Sequence, residues 1–195
     1  MTLRSESIRK ELKILSKLLS FALLVTSLQA ASPTVGEKAP DFELRTVEEK
    51  SVRLSDVTSH GPVVLVVLRG YPGYQCPFCN RQAQDFISKA SSFASSGARV
   101  ILVYPGPPQE LNGRAKEFLT GKSLPEGFDL VLDPGYQFTN LYGLRWDAQN
   151  ETAYPATFVL DRNGRVNFCK IAKAHGGRSS AQEVLEMLPK PKLQR

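Results

Sequence analysis

Cys76 and Cys79, in the order Cys76-Pro77-Phe78-Cys79, are the residues of this chain best suited to covalent chemistry. They follow the apolar run Val63-Val64-Leu65-Val66-Val67-Leu68, so the pair leaves a strand buried on both faces and opens a helix. The first turn of a helix offers unpaired backbone N–H groups and the positive end of its dipole, and both favour a thiolate over a thiol. The thiolate is the nucleophile of disulfide chemistry. Pro77 suits the first helical position, where its missing N–H leaves nothing unsatisfied, which makes Cys76 the N-cap. Cys79, Ala83, Phe86, Ile87, Ala90 and Phe93 then recur at helical spacing and predict one apolar face about four turns long. This arrangement exposes Cys76 at the helix tip and partly shields Cys79 one turn in. An attacking and a resolving thiol then stand in the order that disulfide exchange requires. The alternative, half of a structural zinc site, lacks a second C-x-x-C or a close histidine pair to complete four ligands.

Strands alternating with helices must hold this pair in place. Asp41-Phe42-Glu43-Leu44 alternates like a short strand and Ser51-Val52-Arg53-Leu54 like its hairpin partner, with Ser55 as cap of a brief helical turn. The redox helix runs to Ser95-Ser96-Gly97, and Arg99–Val103 is the next strand. Pro105 to Pro108 is a rigid turn, and a second helix covers Glu110–Leu119. Leu130–Leu132 is a short strand and Tyr136–Tyr142 a short helix. Ala156–Leu160 and Arg165–Ile171 form a hairpin around Asp161-Arg162-Asn163-Gly164, and Ser180–Leu188 closes as an amphipathic helix. The implied fold class is α/β, with a mixed central β-sheet flanked by helices.

Residues 1–30 read as an export signal, residues 31–40 as a linker and residues 41–190 as the single folded domain. Five basic residues precede an apolar stretch from Leu18 to Leu28, and Ala30 and Ala31 supply small residues for cleavage. That stretch is far shorter than the roughly twenty residues a spanning helix needs. The expected location is therefore periplasmic or otherwise extracytoplasmic, without stable membrane insertion after signal removal. An uncleaved N-terminal anchor is the alternative. Residues 1–30 also hold five of the basic and two of the acidic side chains, so the rest carries 20 basic against 17 acidic residues, a net charge of +3. No basic block stands out, and nucleic-acid binding has no support. A chain of this size folds without disulfide staples, so a tight C-x-x-C pair in an oxidising compartment is a working disulfide rather than a brace.

Gly36-Glu37-Lys38-Ala39-Pro40-Asp41-Phe42-Glu43-Leu44 resembles the opening of peroxiredoxins of the alkyl hydroperoxide reductase/thiol-specific antioxidant (AhpC/TSA) family. Tyr154-Pro155-Ala156-Thr157-Phe158-Val159-Leu160-Asp161 looks like the second half of a thioredoxin-like domain. Arg69-Gly70 ahead of the cysteines, with Ala174-His175-Gly176-Gly177-Arg178 near the end, is similar to the peroxiredoxin-like subgroup that carries a thioredoxin-style C-x-x-C. The resemblance spans Gly36 to Leu188 and implies a thioredoxin-like fold and thiol redox activity.

The departures from the peroxiredoxin pattern bear on mechanism. That pattern reads Pro-x-x-x-Thr/Ser-x-x-Cys, and here Pro72, Cys76 and Cys79 fall on the Pro, hydroxyl and Cys positions. Cys79 then stands where the peroxidatic thiol would be. A weak S–H donor replaces the hydroxyl, and Pro155-Ala156 replaces the arginine that would hold peroxide. Pro155 instead stands where thioredoxins keep a cis-proline, so the resemblance implies a cis Tyr154–Pro155 bond facing the redox pair. Arg69 ends the central strand near the thiols, where it could lower a thiol pKa or lie in solvent. Cys169 reads as core packing and His175 as a loop histidine.

The expected activity is exported thiol-disulfide exchange, with Cys76 attacking and Cys79 resolving. The cofactor is nothing beyond the redox-active Cys76–Cys79 disulfide itself. The partners are protein or small-molecule disulfides and thiols, with a membrane or soluble thiol reductant to reset the pair. Two alternatives stand beside it: a thiol peroxidase with Cys79 peroxidatic, and a copper-binding carrier with Cys76, Cys79 and His175 as ligands. The direction of electron flow is not legible from Pro-Phe between the cysteines.

Overall fold

The computed structural model describes residues 30–189. The expected export signal and its anchor alternative lie outside the described residues, apart from Ala30. Among the described residues no helix is long and apolar enough to cross a membrane.

Among the described residues, seven strands form one mixed sheet in the order β2-β1-β5-β4-β3-β6-β7. They are β1 Glu43–Thr46, β2 Ser51–Arg53, β3 Val63–Val67, β4 Arg99–Gly106, β5 Phe128–Pro134, β6 Ala156–Leu160 and β7 Val166–Ile171. The helices are α1 Leu54–His60, α2 Pro77–Ser88, α3 Ala90–Ser95, α4 Leu111–Leu119, α5 Gln137–Leu141 and α6 Ala181–Glu186. β3 lies parallel to β4 and antiparallel to β6, with Val67 opposite both Val103 and Ala156.

The uninterrupted apolar run of β3 reflects burial on two faces. Val64, Val66 and Leu68 enter one hydrophobic cluster with Cys79, Ala83 and Phe86 of α2. Val63, Leu65 and Val67 enter the other, with Phe138, Tyr142 and Phe158. The period of two in a strand sends alternate side chains to opposite faces, so both sets must be apolar. Each such fully buried side chain contributes about 1.5–3 kcal/mol.

Several element boundaries differ from those expected from sequence. The redox helix is not continuous: α2 ends at Ser88, and Lys89 (φ −107°, ψ 17°) separates it from α3. Ser55 does not cap α1. Asp41 does so instead, its Oδ1 accepting from the Ser55 N–H at 2.9 Å and its Oδ2 from the Ser55 hydroxyl at 2.9 Å. The first strand begins two residues later than its alternation suggested, since Asp41 is used in this cap. β4 continues through Pro105 and Gly106, because both pair with β5.

The chain leaves β3 under tight control. Leu68 N–H donates to the Val103 carbonyl (2.9 Å) and Tyr71 N–H to the Pro105 carbonyl (2.9 Å). Gly70 between them has φ +69°, and a Cβ there would overlap the Pro105 carbonyl oxygen. Only glycine lets the backbone turn this close to β4. The turn carries residues 71–75 over the sheet end and delivers Cys76 to the start of α2.

Candidate active site

Cys76 is the N-cap of α2 (φ −74°, ψ 115°) with Pro77 at the first helical position, and its carbonyl accepts the first helical bond from Asn80 N–H at 3.1 Å. Cys79 faces inward one turn later, as its place in the apolar periodicity requires. Both cysteines are free thiols in this structure. The exposed Cys76 expected from its helix-tip position is not found: Cys76 is only 1% exposed and Cys79 0%. A helix tip is open to solvent only if nothing packs over it. Here Cys76 enters the hydrophobic cluster beneath α2, with Tyr71 packed against that cluster and Arg178 reaching the sulfur.

The first arginine is Arg69, 1% exposed and so not a solvent cation. Its Nε donates to Glu151 Oε2 (2.5 Å), one terminal nitrogen to the Tyr74 hydroxyl (2.7 Å) and the other to the Asn150 carbonyl (2.5 Å). Its positive charge favours the Cys76 thiolate over the thiol. The second is Arg178, which donates through Nε to the His175 carbonyl (2.8 Å) and through one terminal nitrogen to Gln82 Oε1 (2.9 Å). Its other terminal nitrogen lies 4.0 Å from the Cys76 sulfur. Gln82, buried on α2, also donates to the Ser179 carbonyl at 3.3 Å, and so clamps the returning chain onto the redox helix.

The two thiols are driven apart in acidity. Cys76 is lowered from 9.0 to about 5, first by the Cys79 thiol that faces it, then by the Cys79 backbone N–H, Arg178 and Arg69, against the opposing effect of burial. The backbone N–H contributes its dipole without closing a cap hydrogen bond. Cys79 moves the other way, because burial and the facing Cys76 both disfavour a second thiolate. One anion in this pocket is stabilised and two are not. Alkylation of Cys76 by a small neutral reagent should follow its thiolate fraction. The expected rate is therefore level through neutral pH and falls as the pH drops through about 5. A stopped-flow pH series measures this, and a midpoint near the ordinary thiol value would contradict it.

Pro155 is buried at the head of β6, but the described residues contain no cis peptide bond, so the expected cis Tyr154–Pro155 bond is trans. The backbone on both sides of this bond is hydrogen-bonded. Tyr154 N–H donates to the Leu144 carbonyl (2.8 Å), and the Pro155 carbonyl accepts from Ala172 N–H (2.8 Å). An extended run with partners on both flanks continues in trans. Tyr154 stacks on Trp146 (4.7 Å between centroids), Trp146 meets His175 (5.5 Å) and His175 meets Phe78 (6.0 Å). A row of rings thus joins Tyr154 to the redox helix. Pro72 sits half-buried in the 71–75 loop.

His175 Nε2 lies 2.9 Å from Glu151 Oε1 rather than serving the thiols directly. Among the described residues no three His, Cys, Asp or Glu side chains converge as a metal site, so the copper-ligand set of Cys76, Cys79 and His175 is not assembled. Cys169 is half-buried on β7, opposite Phe158 and packed against the core. The one arginine expected to be missing at Pro155-Ala156 is absent there, and Arg69 and Arg178 bring their charges to the cysteines from other segments. The role of Arg178 was not apparent from sequence, although it closes the Ala174–Arg178 segment. Glu151 and Gln82 carried no local signal at all.

Residues 35–169 match the model of the AhpC/TSA family. Peroxiredoxin Bcp of Bacillus subtilis is 31% identical over 138 residues, covering 68% of this chain and 81% of that protein. Among solved structures, peroxidoxin BcpB of Mycobacterium tuberculosis superposes with a TM-score of 0.63 at 23% identity, over 80% of this chain and 96% of that one. A candidate thiol:disulfide interchange protein DsbE of Chlorobium tepidum reaches 0.60 at 26% identity, over 81% of this chain and all of that one.

Proposed function

The chain belongs to the AhpC/TSA family and is a thiol-dependent oxidoreductase, and from that premise we propose that it works by dithiol–disulfide exchange with Cys76 as the attacking thiol. The observation that carries this reading is geometric: Cys76 stands at the N-cap of α2 with an Arg178 nitrogen 4.0 Å from its sulfur, while Cys79 is fully buried one turn inward, which favours a thiolate at Cys76 and a protonated thiol at Cys79. The Cys76 thiolate attacks one sulfur of a substrate disulfide, forms a mixed disulfide and expels the other sulfur as a thiolate, which takes up a proton. Cys79 then loses its proton and attacks the Cys76 sulfur, releasing the second substrate thiolate. The substrate gains two electrons and the protein holds a Cys76–Cys79 disulfide. An external thiol donor returns it to the dithiol.

The raised pKa of Cys79, which keeps it a protonated thiol, speaks against Cys79 as the peroxidatic residue. The burial of Cys76 favours a second reading in which a compact hydroperoxide reaches Cys76. Cys76 would then take the distal oxygen as sulfenic acid, releasing an alcohol or water, and Cys79 would displace water to form the same disulfide. Parallel assays of insulin-disulfide reduction and hydroperoxide consumption, with one dithiol donor, separate the two. Catalysis of the first and background rates in the second are expected. The reverse result transfers the protein to the peroxidase reading.

The same proposal places the protein outside the cytoplasm, supported by Leu18–Leu28 and Ala30. N-terminal sequencing should find a mature chain beginning near Ala31, and recovery of Met1 from a cytoplasmic pool would refute it.

A further inference from the structure

Arg178, which reaches the Cys76 sulfur, and Arg69 at the end of β3 trace back to one carboxylate. We propose that Glu151 is a positioning residue for the Cys76 pocket, fixing Arg69 through one carboxylate oxygen and, by way of His175, Arg178 through the other. This rests on Cys76 being the attacking thiol.

Oε2 takes the Arg69 Nε–H at 2.5 Å, and Oε1 lies 2.9 Å from His175 Nε2. The His175 carbonyl in turn takes the Arg178 Nε–H at 2.8 Å, which leaves a terminal nitrogen of Arg178 4.0 Å from the Cys76 sulfur. The backbone beside Glu151 is shaped to the same end. Asn150 adopts φ 59°, in the left-handed region that asparagine enters more readily than most residues, and the Glu151 N–H donates to the Ala148 carbonyl at 3.0 Å. This turn presents the Asn150 carbonyl and the Glu151 carboxylate together, and both accept from Arg69. The Glu151 side chain is 11% exposed, so these bonds form largely out of water and constrain strongly. An arginine carries a long flexible stem, and its guanidinium stays on one atom only where its planar fork is held from outside.

The charge of Glu151 and its grip act on Cys76 in opposite directions. As an anion Glu151 disfavours the Cys76 thiolate; as an anchor of two cations it favours it. Two conservative variants separate these effects. Glu151→Asp keeps the charge but is one methylene too short to hold both Arg69 and His175. Glu151→Gln keeps the length and the acceptor for Arg69 but removes the charge.

The test measures the pH midpoint of alkylation on the reduced, full-length protein, with the labelled cysteine identified by peptide mass spectrometry. Positioning predicts that Glu151→Asp raises the Cys76 midpoint by about one pH unit, roughly tenfold in thiolate stability, while Glu151→Gln stays within about half a unit of wild type. A Glu151→Asp midpoint at or below wild type overturns the proposal. Should Glu151→Asp fail to fold, Glu151→Ala decides, since it removes charge and grip together and the two act in opposite directions: a Cys76 midpoint above wild type supports the proposal, and one at or below wild type overturns it. Labelling of Cys79 in the wild type would instead refute Cys76 as the attacking thiol, and the inference would fall with that reading.

Discussion

Replacing Cys76 with serine (C76S) is expected to reduce turnover to background, a loss of more than about 10³-fold, because a hydroxyl is not ionised near neutrality and cannot attack a disulfide. Replacing Cys79 with serine (C79S) should stop turnover at a different point. The Cys76 thiolate keeps Arg69 and Arg178 beside it and still attacks, but no thiol remains to resolve the mixed disulfide. Covalent adducts should then accumulate on C79S and be released by added dithiol. Non-reducing electrophoresis of both variants after exposure to substrate disulfide reads this directly. Adducts on C76S and none on C79S would make Cys79 the attacking thiol.

Replacing Arg69 with methionine (R69M) should damage stability and reactivity together. Arg69 is buried, and its guanidinium meets Glu151, the Tyr74 hydroxyl and the Asn150 carbonyl. Removing it leaves the Glu151 carboxylate largely buried without its cation, and breaking a buried pair from one side costs about 3–5 kcal/mol. The Cys76 midpoint should rise as well, since one of the two positive charges stabilising its thiolate is lost. Arg69→Lys is not expected to restore the site, because an ammonium lacks the planar fork that spans three acceptors. Chemical denaturation and the alkylation profile check the two effects separately. An R69M protein with wild-type stability and an unmoved midpoint would show that Arg69 is an ornament of the fold.

Much of this molecule was determined by patterns between near neighbours in the chain. The unbroken apolar run of β3 specifies a strand covered on both faces, since alternate residues must enter opposite cores. Cys76-Pro77-Phe78-Cys79 specifies a helix start with one sulfur at the N-cap and one a turn inward, and both stand there. Such features depend on residues two to four apart, and those spacings are set by backbone geometry alone.

What surrounds the sulfurs was decided only by the tertiary structure. Arg69 meets Glu151 across 82 positions, and Arg178 meets Cys76 across 102. The end of β3 lies beside the start of β6, so residues 150–152 and 175–178 return to the same place as the first turn of α2. That return helps bury a cysteine whose helix-end position alone would expose it, and brings Arg178 to its sulfur. The Tyr154–Pro155 bond, flanked by backbone hydrogen bonds to Leu144 and Ala172, is trans. Local pattern determined where the thiols stand. Their burial and charge came from segments with no local relation to them, because solvent exclusion and electrostatics act through space and not along the chain.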